Sequence, residues 1–320
     1  MTQPRQAEAA RRDPTAWALA AVPAAGDLAA AEAFCREVAQ RHYENFTVAT
    51  RLVPPRLRQH LANVYAFARW SDDLADEAAS PTEAARALAE WRAQLERCFQ
   101  GWADHPVFIA LGETVRRTGL TIEPFADLLA AFEEDQAFDQ AGVAARYANR
   151  EGVLRYCRRS ADPVGRIVLG LEGCREPRLL AMSDSICTGL QLVNFWQDVK
   201  RDRLAGRVYL PRDDMARHGV ELSMLDADRA SPALVGLLRE EVGWARECFA
   251  AGAPLVGLAP PVLRPAIRMF LAGGRALADA IERAGHDTLT ARPTVSRWKK
   301  LQLAARAWWA VQMASLVGSA

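Results

Sequence analysis

The chain has 320 residues, half of them hydrophobic and a quarter charged, with a formal charge of +1. That balance fits a soluble globular protein of one large domain or two ordinary ones, and argues against the concentrated basic face that general nucleic-acid binding needs. Six cysteines without a CxxC pair argue against a zinc site or a disulfide framework and suit a reducing cytoplasm.

Residues 1–26 hold a short Ala-rich stretch interrupted by Pro14 and Pro23, which reads as a flexible leader rather than a signal peptide. No apolar run reaches the roughly 18 residues that span a bilayer. This leaves room for a cytoplasmic protein that rests on the inner face of the membrane.

From there Ala, Leu, Arg and Glu dominate and β-branched runs are scarce, so helix is expected nearly throughout. The candidate helices are 27–42, 57–77, 81–101, 104–118, 122–138, 146–172, 176–203, 231–251, 260–285 and 295–317. "VPP" at 53–55, the capping box "SPTE" at 80–83, "TGL" at 118–120, "EGCREP" at 172–177 and "ASP" at 230–232 punctuate them. With only short breaks, residues 27–320 read as a single all-α domain. Helices 146–172 and 176–203 are apolar around much of their circumference and should be central. The last helix carries Trp298, Lys299, Lys300, Trp308 and Trp309. It reads either as an interfacial anchor on a membrane or as a closing helix packed on the bundle.

Two acidic clusters stand out. "YAFARWSDDLADE" at 65–77 places Asp72 and Asp76 four apart, and "NFWQDVKRDRLAGRVYLP" at 194–211 does the same with Asp198 and Asp202. Side chains four apart share a helix face, and like charges there repel. Each pair ends an otherwise apolar helix, so four carboxylates grouped in one mouth would call for cations. Mg²⁺ suits them, because it takes oxygen ligands, keeps waters and bridges carboxylates to substrate phosphates. Gln191 and Asn194 extend one polar stripe, and Tyr65 and Arg69 the other. Arg69, Lys200, Arg201 and Arg207 are cationic donors for a phosphate. The implied site holds a diphosphate at its rim and a long hydrocarbon below.

Together, "YAFARWSDDLADE" and "QLVNFWQDVKRDRLAGRVYLP" resemble the two Asp-rich motifs of the squalene and phytoene synthase family of all-α, head-to-head prenyl synthases. The resemblance covers roughly residues 30–290. It implies an isoprenoid-synthase helical bundle with a central hydrophobic cavity and Mg²⁺-assisted ionisation of a prenyl diphosphate. Two departures carry further information. Asn45-Phe46 stands where other members often have Ser-Phe. Ser160-Ala161-Asp162-Pro163-Val164-Gly165 stands where they read Val-Ala-Gly or Ala-Ala-Gly before Thr-Val-Gly or Val-Val-Gly. Both are similar to the bacterial hydroxysqualene synthases of hopanoid biosynthesis, which convert presqualene diphosphate and water to hydroxysqualene without nicotinamide. Such a protein would work beside a presqualene diphosphate synthase and a hydroxysqualene dehydrogenase.

On that resemblance, Mg²⁺ is held by Asp72, Asp76, Asn194, Asp198 and Asp202. Asp73 ranks lower because it points about 100° from Asp72 on the helix. Arg69 and Arg207 would hydrogen-bond the leaving diphosphate, with Lys200, Gln191, Asn45 and Phe46 at the substrate. Tyr65, Tyr156 and Tyr209 would orient the diphosphate, remove a proton or face a cation. Phe132, Phe195 and Trp196 read equally as hydrocarbon walls or ordinary core.

Pro163 is expected to kink its helix and free the carbonyl of Arg159, so that Asp162 and Ser160 could hold an ordered water. The plainer alternative is that Asp162 caps the helix or pairs with Arg158 or Arg159. The rival reactions are the joining of two farnesyl diphosphates to presqualene diphosphate and of two geranylgeranyl diphosphates to phytoene. A non-catalytic assembly factor is the rival of another class, although it would be expected to lose the carboxylates. The five histidines share no motif spacing.

Overall fold

The computed structural model of the chain describes residues 27–42, 52–142 and 144–295. In chain order the described helices are α1 (Leu28–His42), α2 (Pro55–Asp76), α3 (Pro81–Phe99), α4 (Pro106–Thr118), α5 (Glu123–Ala141), α6 (Arg150–Ser160) and α7 (Asp162–Gly170). There follow α8 (Pro177–Gln197), α9 (Val199–Leu204), α10 (Arg212–His218), a 3₁₀ turn at Leu222–Asp226, α11 (Pro232–Gly252), α12 (Leu255–Leu258) and α13 (Arg264–Arg283). The chain is all-α, as its composition predicts. Among the described residues the extended backbone forms only an isolated bridge between Ala145 and Val208. Asn45, Phe46 and the Trp-rich C-terminal segment lie outside the described residues, as does the leader 1–26.

The chain divides into two compact units, one of residues 1–50 and 55–137 and the other of 51–54 and 138–320. In the first, α1, α2, α3 and α4 pack on one another. The buried stripe of α2 includes Asn63, Ala66, Phe67, Trp70 and Ser71, a helical period that turns one face inward. Phe67 stacks on Trp91 at 6.3 Å and meets Phe125 edge-on at 5.4 Å, and Trp91 packs on Phe108 at 4.3 Å. Such aromatic pairs add about 0.5–1.5 kcal/mol each beyond the area they bury. Several polar atoms in this core are matched. Trp91 Nε1 donates to Ser71 Oγ at 3.1 Å, Ser71 Oγ donates to the Phe67 carbonyl at 2.8 Å, and Asn63 Nδ2 donates to the Ala110 carbonyl at 2.9 Å.

In the second unit α8 is the central helix, packed against by α6, α7, α11, α12 and α13. Glycines allow this crowding. A Cβ at Gly189 would lie 2.8 Å from the Phe249 ring, and one at Gly252 would lie 2.7 Å from the Met182 carbonyl. A Cβ at Gly165 would lie 2.3 Å from Ser183 Oγ, so α7 presses equally closely on α8.

Two expected helices are divided. The span 146–172 is α6 and α7, separated at Ala161 (φ −120°, ψ −51°). Asp162 and Pro163 open α7, so the proline occupies a first turn, where its missing N–H costs no intrahelical bond. This corrects the expected kink: the chain stops one helix and starts another across a joint at Ala161, two residues before the proline. The span 176–203 is divided at Asp198 (φ −101°, ψ 13°). α10 and the 3₁₀ turn were not expected. α10 is seven residues long and buries only Asp214 and Met215, too little apolar periodicity to register in a sequence.

Candidate active site

In the first unit the acidic motif closes α2. Arg69 Nη1 donates to Asp72 Oδ2 at 3.0 Å, and its other terminal nitrogen pairs with Asp73. The guanidinium is therefore held by carboxylates three and four residues ahead on the same helix, while its Nε is buried without a partner. Burial raises the Asp72 carboxyl to about 6; Asp76 adds to the rise, and Arg69 opposes it. Asp76 is exposed and Tyr65 half-buried. Gln136 of α5 fastens the end of α2 by donating to the Ala75 carbonyl at 2.9 Å. Asp73, ranked lower as a ligand, faces Arg69 instead.

In the second unit the acidic motif straddles the joint between α8 and α9. The joint leaves the helical spacing intact, because Asp198 N donates to the Asn194 carbonyl at 3.0 Å and Asp202 N to the Asp198 carbonyl at 2.8 Å. Burial raises the Asp202 carboxyl to about 7; Asp198 adds to the rise, and Arg207, Arg201 and Arg146 oppose it. Along α8 Asp184, Cys187, Gln191 and Asn194, with Asp198 just beyond its end, are partly open, as are Ser185 and Leu190 beside them, while Ile186, Thr188, Gly189, Leu192, Val193, Phe195 and Trp196 are buried. That spacing of three and four makes one accessible stripe down the helix.

Cations of the motif's own stretch and of distant parts of the sequence meet here. Arg292 grips Asp198 through two nitrogens, one of them 2.8 Å from Oδ2, and donates to Gln197 Oε1 at 2.9 Å. Arg207 pairs with Asp139 (2.5 Å to Oδ2), which also takes Arg146. The buried Arg146 guanidinium lies 5.3 Å from the centre of the Tyr209 ring. Tyr209 stacks on Phe195 at 3.9 Å with the rings 9° apart, and Tyr156 lies 6.1 Å from Phe195. The bridge at Val208, whose N–H donates to the Ala144 carbonyl at 2.7 Å, fixes the backbone beside Tyr209.

Several sequence candidates land elsewhere. Lys200 Nζ is engaged with Asp228 Oδ1 at 3.0 Å and the Ala227 carbonyl at 3.3 Å. Trp196 is fully buried and donates through Nε1 to the Glu241 carbonyl at 3.1 Å, which makes it core. Phe132 is half-buried on α5. Asp162 is 3% exposed and accepts from Thr188 Oγ1 at 2.9 Å. Arg158 pairs with Glu151 at 3.1 Å. The alternative in which Asp162 pairs with Arg158 therefore gives way to a bond with a hydroxyl on α8. The charged runs 146–159 and 292–300 read in sequence as solvated helix faces, but Arg146 is buried and Arg292 pairs with Asp198; Asp139 and Thr188 were not singled out. For Arg292 no local signal exists, since it lies 94 residues from Asp198.

No group of three His, Cys, Asp or Glu side chains arranged to hold a metal occurs among the described residues. The oxygen-only donor sets, two carboxylates in one motif and two with Asn194 in the other, still fit a Mg²⁺ ion, which takes one or two carboxylates and completes its shell from water and substrate. Burial is the main cause that raises the Asp72 and Asp202 carboxyls, and the carboxylate one helical turn away adds to each rise.

Comparison with known proteins gives the family. Residues 39–299 match the family model for squalene/phytoene synthase. The phytoene synthase of Arthrospira platensis is 29% identical over 280 residues, covering 83% of this chain and 89% of that protein. The hydroxysqualene synthase of Sinorhizobium fredii is 34% identical over 223 residues, covering 69% and 73%. The crystal structure of squalene synthase HpnC from Alicyclobacillus acidocaldarius aligns with a TM-score of 0.76 at 39% identity, covering 84% of this chain and 98% of that one. With a family model matched over most of its length and both acidic motifs in helical register, the chain belongs to the squalene/phytoene synthase family.

Proposed function

We propose that this protein is a hydroxysqualene synthase that converts presqualene diphosphate and water to hydroxysqualene and diphosphate. The observation that carries the ionisation step is the helical register of the two motifs, which sets Asp76 one turn from Asp72 on α2 and Asp202 one turn from Asp198. Paired carboxylates at two such motifs, with arginines alongside, are what a site for a metal-bound diphosphate requires. Asp72, Asp76, Asn194, Asp198 and Asp202 would hold Mg²⁺. When bound, the ion supplies Lewis-acid stabilisation of the charge that develops on the departing diphosphate.

The chain's own residues do the rest. Arg69 and Arg292, now on carboxylates, can turn their free N–H groups to the diphosphate oxygens, contacts that strengthen as the leaving group gains charge. Gln191 and Asn194 line the stripe below. Tyr156, Phe195 and Tyr209 present ring faces that favour a carbocation over bulk water. The hydrocarbon needs apolar walls, and the apolar stretches of α6, α7 and α8 would supply them.

The similarity to hydroxysqualene synthases at 34–37% identity supports the choice of reaction. The phytoene synthases match a larger share of the chain at 27–29% identity, which favours as second reading a head-to-head coupling of two prenyl diphosphates. Incubation with presqualene diphosphate and Mg²⁺, without nicotinamide, tests the choice. Hydroxysqualene is the expected product. Parallel incubations with farnesyl and geranylgeranyl diphosphate should give neither presqualene diphosphate nor phytoene; either product would replace the first reading with the second. The proposed setting is cytoplasmic, beside enzymes that make presqualene diphosphate and oxidise hydroxysqualene, with peripheral membrane contact. No described helix is long and apolar enough to cross a membrane.

A further inference from the structure

Asp162 is an unusual residue to find where it is. It opens α7, is 3% exposed, and among the described residues its side chain accepts a single hydrogen bond, from Thr188 of α8 at 2.9 Å. A carboxylate offers about four acceptor positions, so one donor leaves most of its capacity unused. A buried carboxyl without an ion pair is costly, and a helix joint needs none. The residue before the joint adds a second anomaly: Ser160 Oγ is buried with no hydrogen-bond partner. Two polar groups flanking Ala161 therefore have bonding capacity that the protein does not fill, the condition under which a water is a stable resident.

The position is adjacent to the accessible stripe of α8. Thr188 lies three residues, about 4.5 Å of helix rise, from Gln191, and Gln191 lies about 10 Å from Asp198. Asp184 and Cys187, both on the stripe, are near enough for Asp184 to raise the Asp162 carboxyl and for Asp162 to raise the Cys187 thiol. Burial is the main cause that lifts Asp162, to about 7, with Thr188, Arg166 and Arg158 opposing. A carboxyl with that affinity for protons accepts one readily near neutral pH.

Resting on the reading above, we infer that Asp162, oriented by Thr188, holds the attacking water and takes its proton. The departing diphosphate keeps the electron pair of the broken C–O bond. A lone pair of the water oxygen forms the new C–O bond to the rearranged carbocation, and one water proton passes to the Asp162 carboxylate. The alcohol leaves neutral, and the protonated carboxyl returns its proton to solvent between turnovers. Without that acceptor, the cation is expected to lose a proton from an adjacent carbon and give an unsaturated hydrocarbon.

The test is the ratio of alcohol to hydrocarbon formed from presqualene diphosphate with Mg²⁺ in ¹⁸O-labelled water. Asp162→Asn keeps the size and the bond to Thr188 but cannot accept the proton. It should lower the labelled alcohol share at least tenfold. Thr188→Val leaves the carboxylate but removes its orienting donor, and should lower the share about threefold to fivefold. It also decides the matter if Asp162→Asn does not fold. An unchanged alcohol share in the folded variants overturns the role of Asp162 while leaving the hydroxysqualene synthase reading intact. A wild-type protein that does not convert presqualene diphosphate overturns both.

Discussion

The two acidic motifs share a spacing but are built differently. The first lies on one uninterrupted helix and takes its cation from within: Arg69 reaches Asp72 and Asp73 three and four residues ahead. The second lies across a helix joint and takes a cation from far away, Arg292 on Asp198, while Arg207 of its own stretch turns to the distant Asp139. The first arrangement is thus specified by a dozen consecutive residues. The second exists only after the segment that follows α13 has folded back along α8.

The largest expected effect tests whether the motifs serve one diphosphate. Asp72→Ala and Asp198→Ala should each reduce kcat/KM by roughly 10²–10³-fold, the usual loss when a contact to developing charge is removed. If both motifs grip the same group, the double variant should fall far short of the product of the single losses, because residues that act as a unit are not additive. Losses that multiply would show independent roles.

A smaller effect separates local from distant cations. Arg69→Ala and Arg292→Ala should each raise the KM for a diphosphate substrate about tenfold, which corresponds to about 1.4 kcal/mol. Lys200→Ala should stay within twofold, since its ammonium is engaged with the exposed Asp228. Steady-state kinetics at constant ionic strength would measure all three. A Lys200 effect as large as that of Arg292 would place the phosphate donors on α9 instead.

This contrast also explains what was legible in the sequence. Helix class, the central position of α8, the Ser80 capping box and both DxxxD pairs follow from spacing, and spacing is what a helix converts into a face. The joint at Ala161 was half-legible. Pro163 announced a disturbance, but a proline that ends a helix and one that begins the next read alike until the residues before it are placed. Arg292, Arg146 with Asp139, and the Thr188 partner of Asp162 were not legible. Each is a pairing between elements, set by how α7, α8 and the segment after α13 dock, and no local pattern encodes docking. Lys200 shows the converse: its sequence neighbours are the motif, but its side chain follows the 3₁₀ turn.

The second unit is further distinguished by buried charge. Glu241 is fully buried and faces Asp214 and Arg150; burial raises its carboxyl to about 8, and a hydrogen bond with Asp214 adds to the rise. Arg150 also reaches Glu240, and Arg217 and His218 close the group. A carboxyl raised above its unfolded value stabilises the fold fully below the unfolded value and loses that contribution as pH rises through about 8. Wild-type Tm should therefore fall between pH 6.5 and 9. Glu241→Gln, which can still donate to Asp214, should recover about 2–4 °C at pH 9, the shift expected per kcal/mol for a chain of this size. An equal fall in the variant would assign the loss to another group.

The smallest effects sharpen the comparison most, because they match stability loss against function. Ser80 Oγ caps α3 in the first unit by accepting from Glu83 N at 3.2 Å, and Asn149 Oδ1 caps α6 in the second by accepting from Gly152 N at 3.0 Å. Replacing either residue by Ala removes one cap and should cost about 1 kcal/mol in urea unfolding. The functional consequences should differ. α3 buries Leu88, Trp91 and Leu95 in the first core and carries no residue of either acidic motif. α6 carries Tyr156, and a Cβ at Gly152 would lie only 3.2 Å from Tyr147, which itself contacts the rings of Tyr156 and Tyr209. A frayed first turn of α6 loosens that ring cluster directly. Ser80→Ala should thus leave turnover within twofold, whereas Asn149→Ala should lower kcat several-fold at the same stability cost. Equal kinetic losses would mean that the cap on α6 supports the fold alone and that the rings keep their places without it.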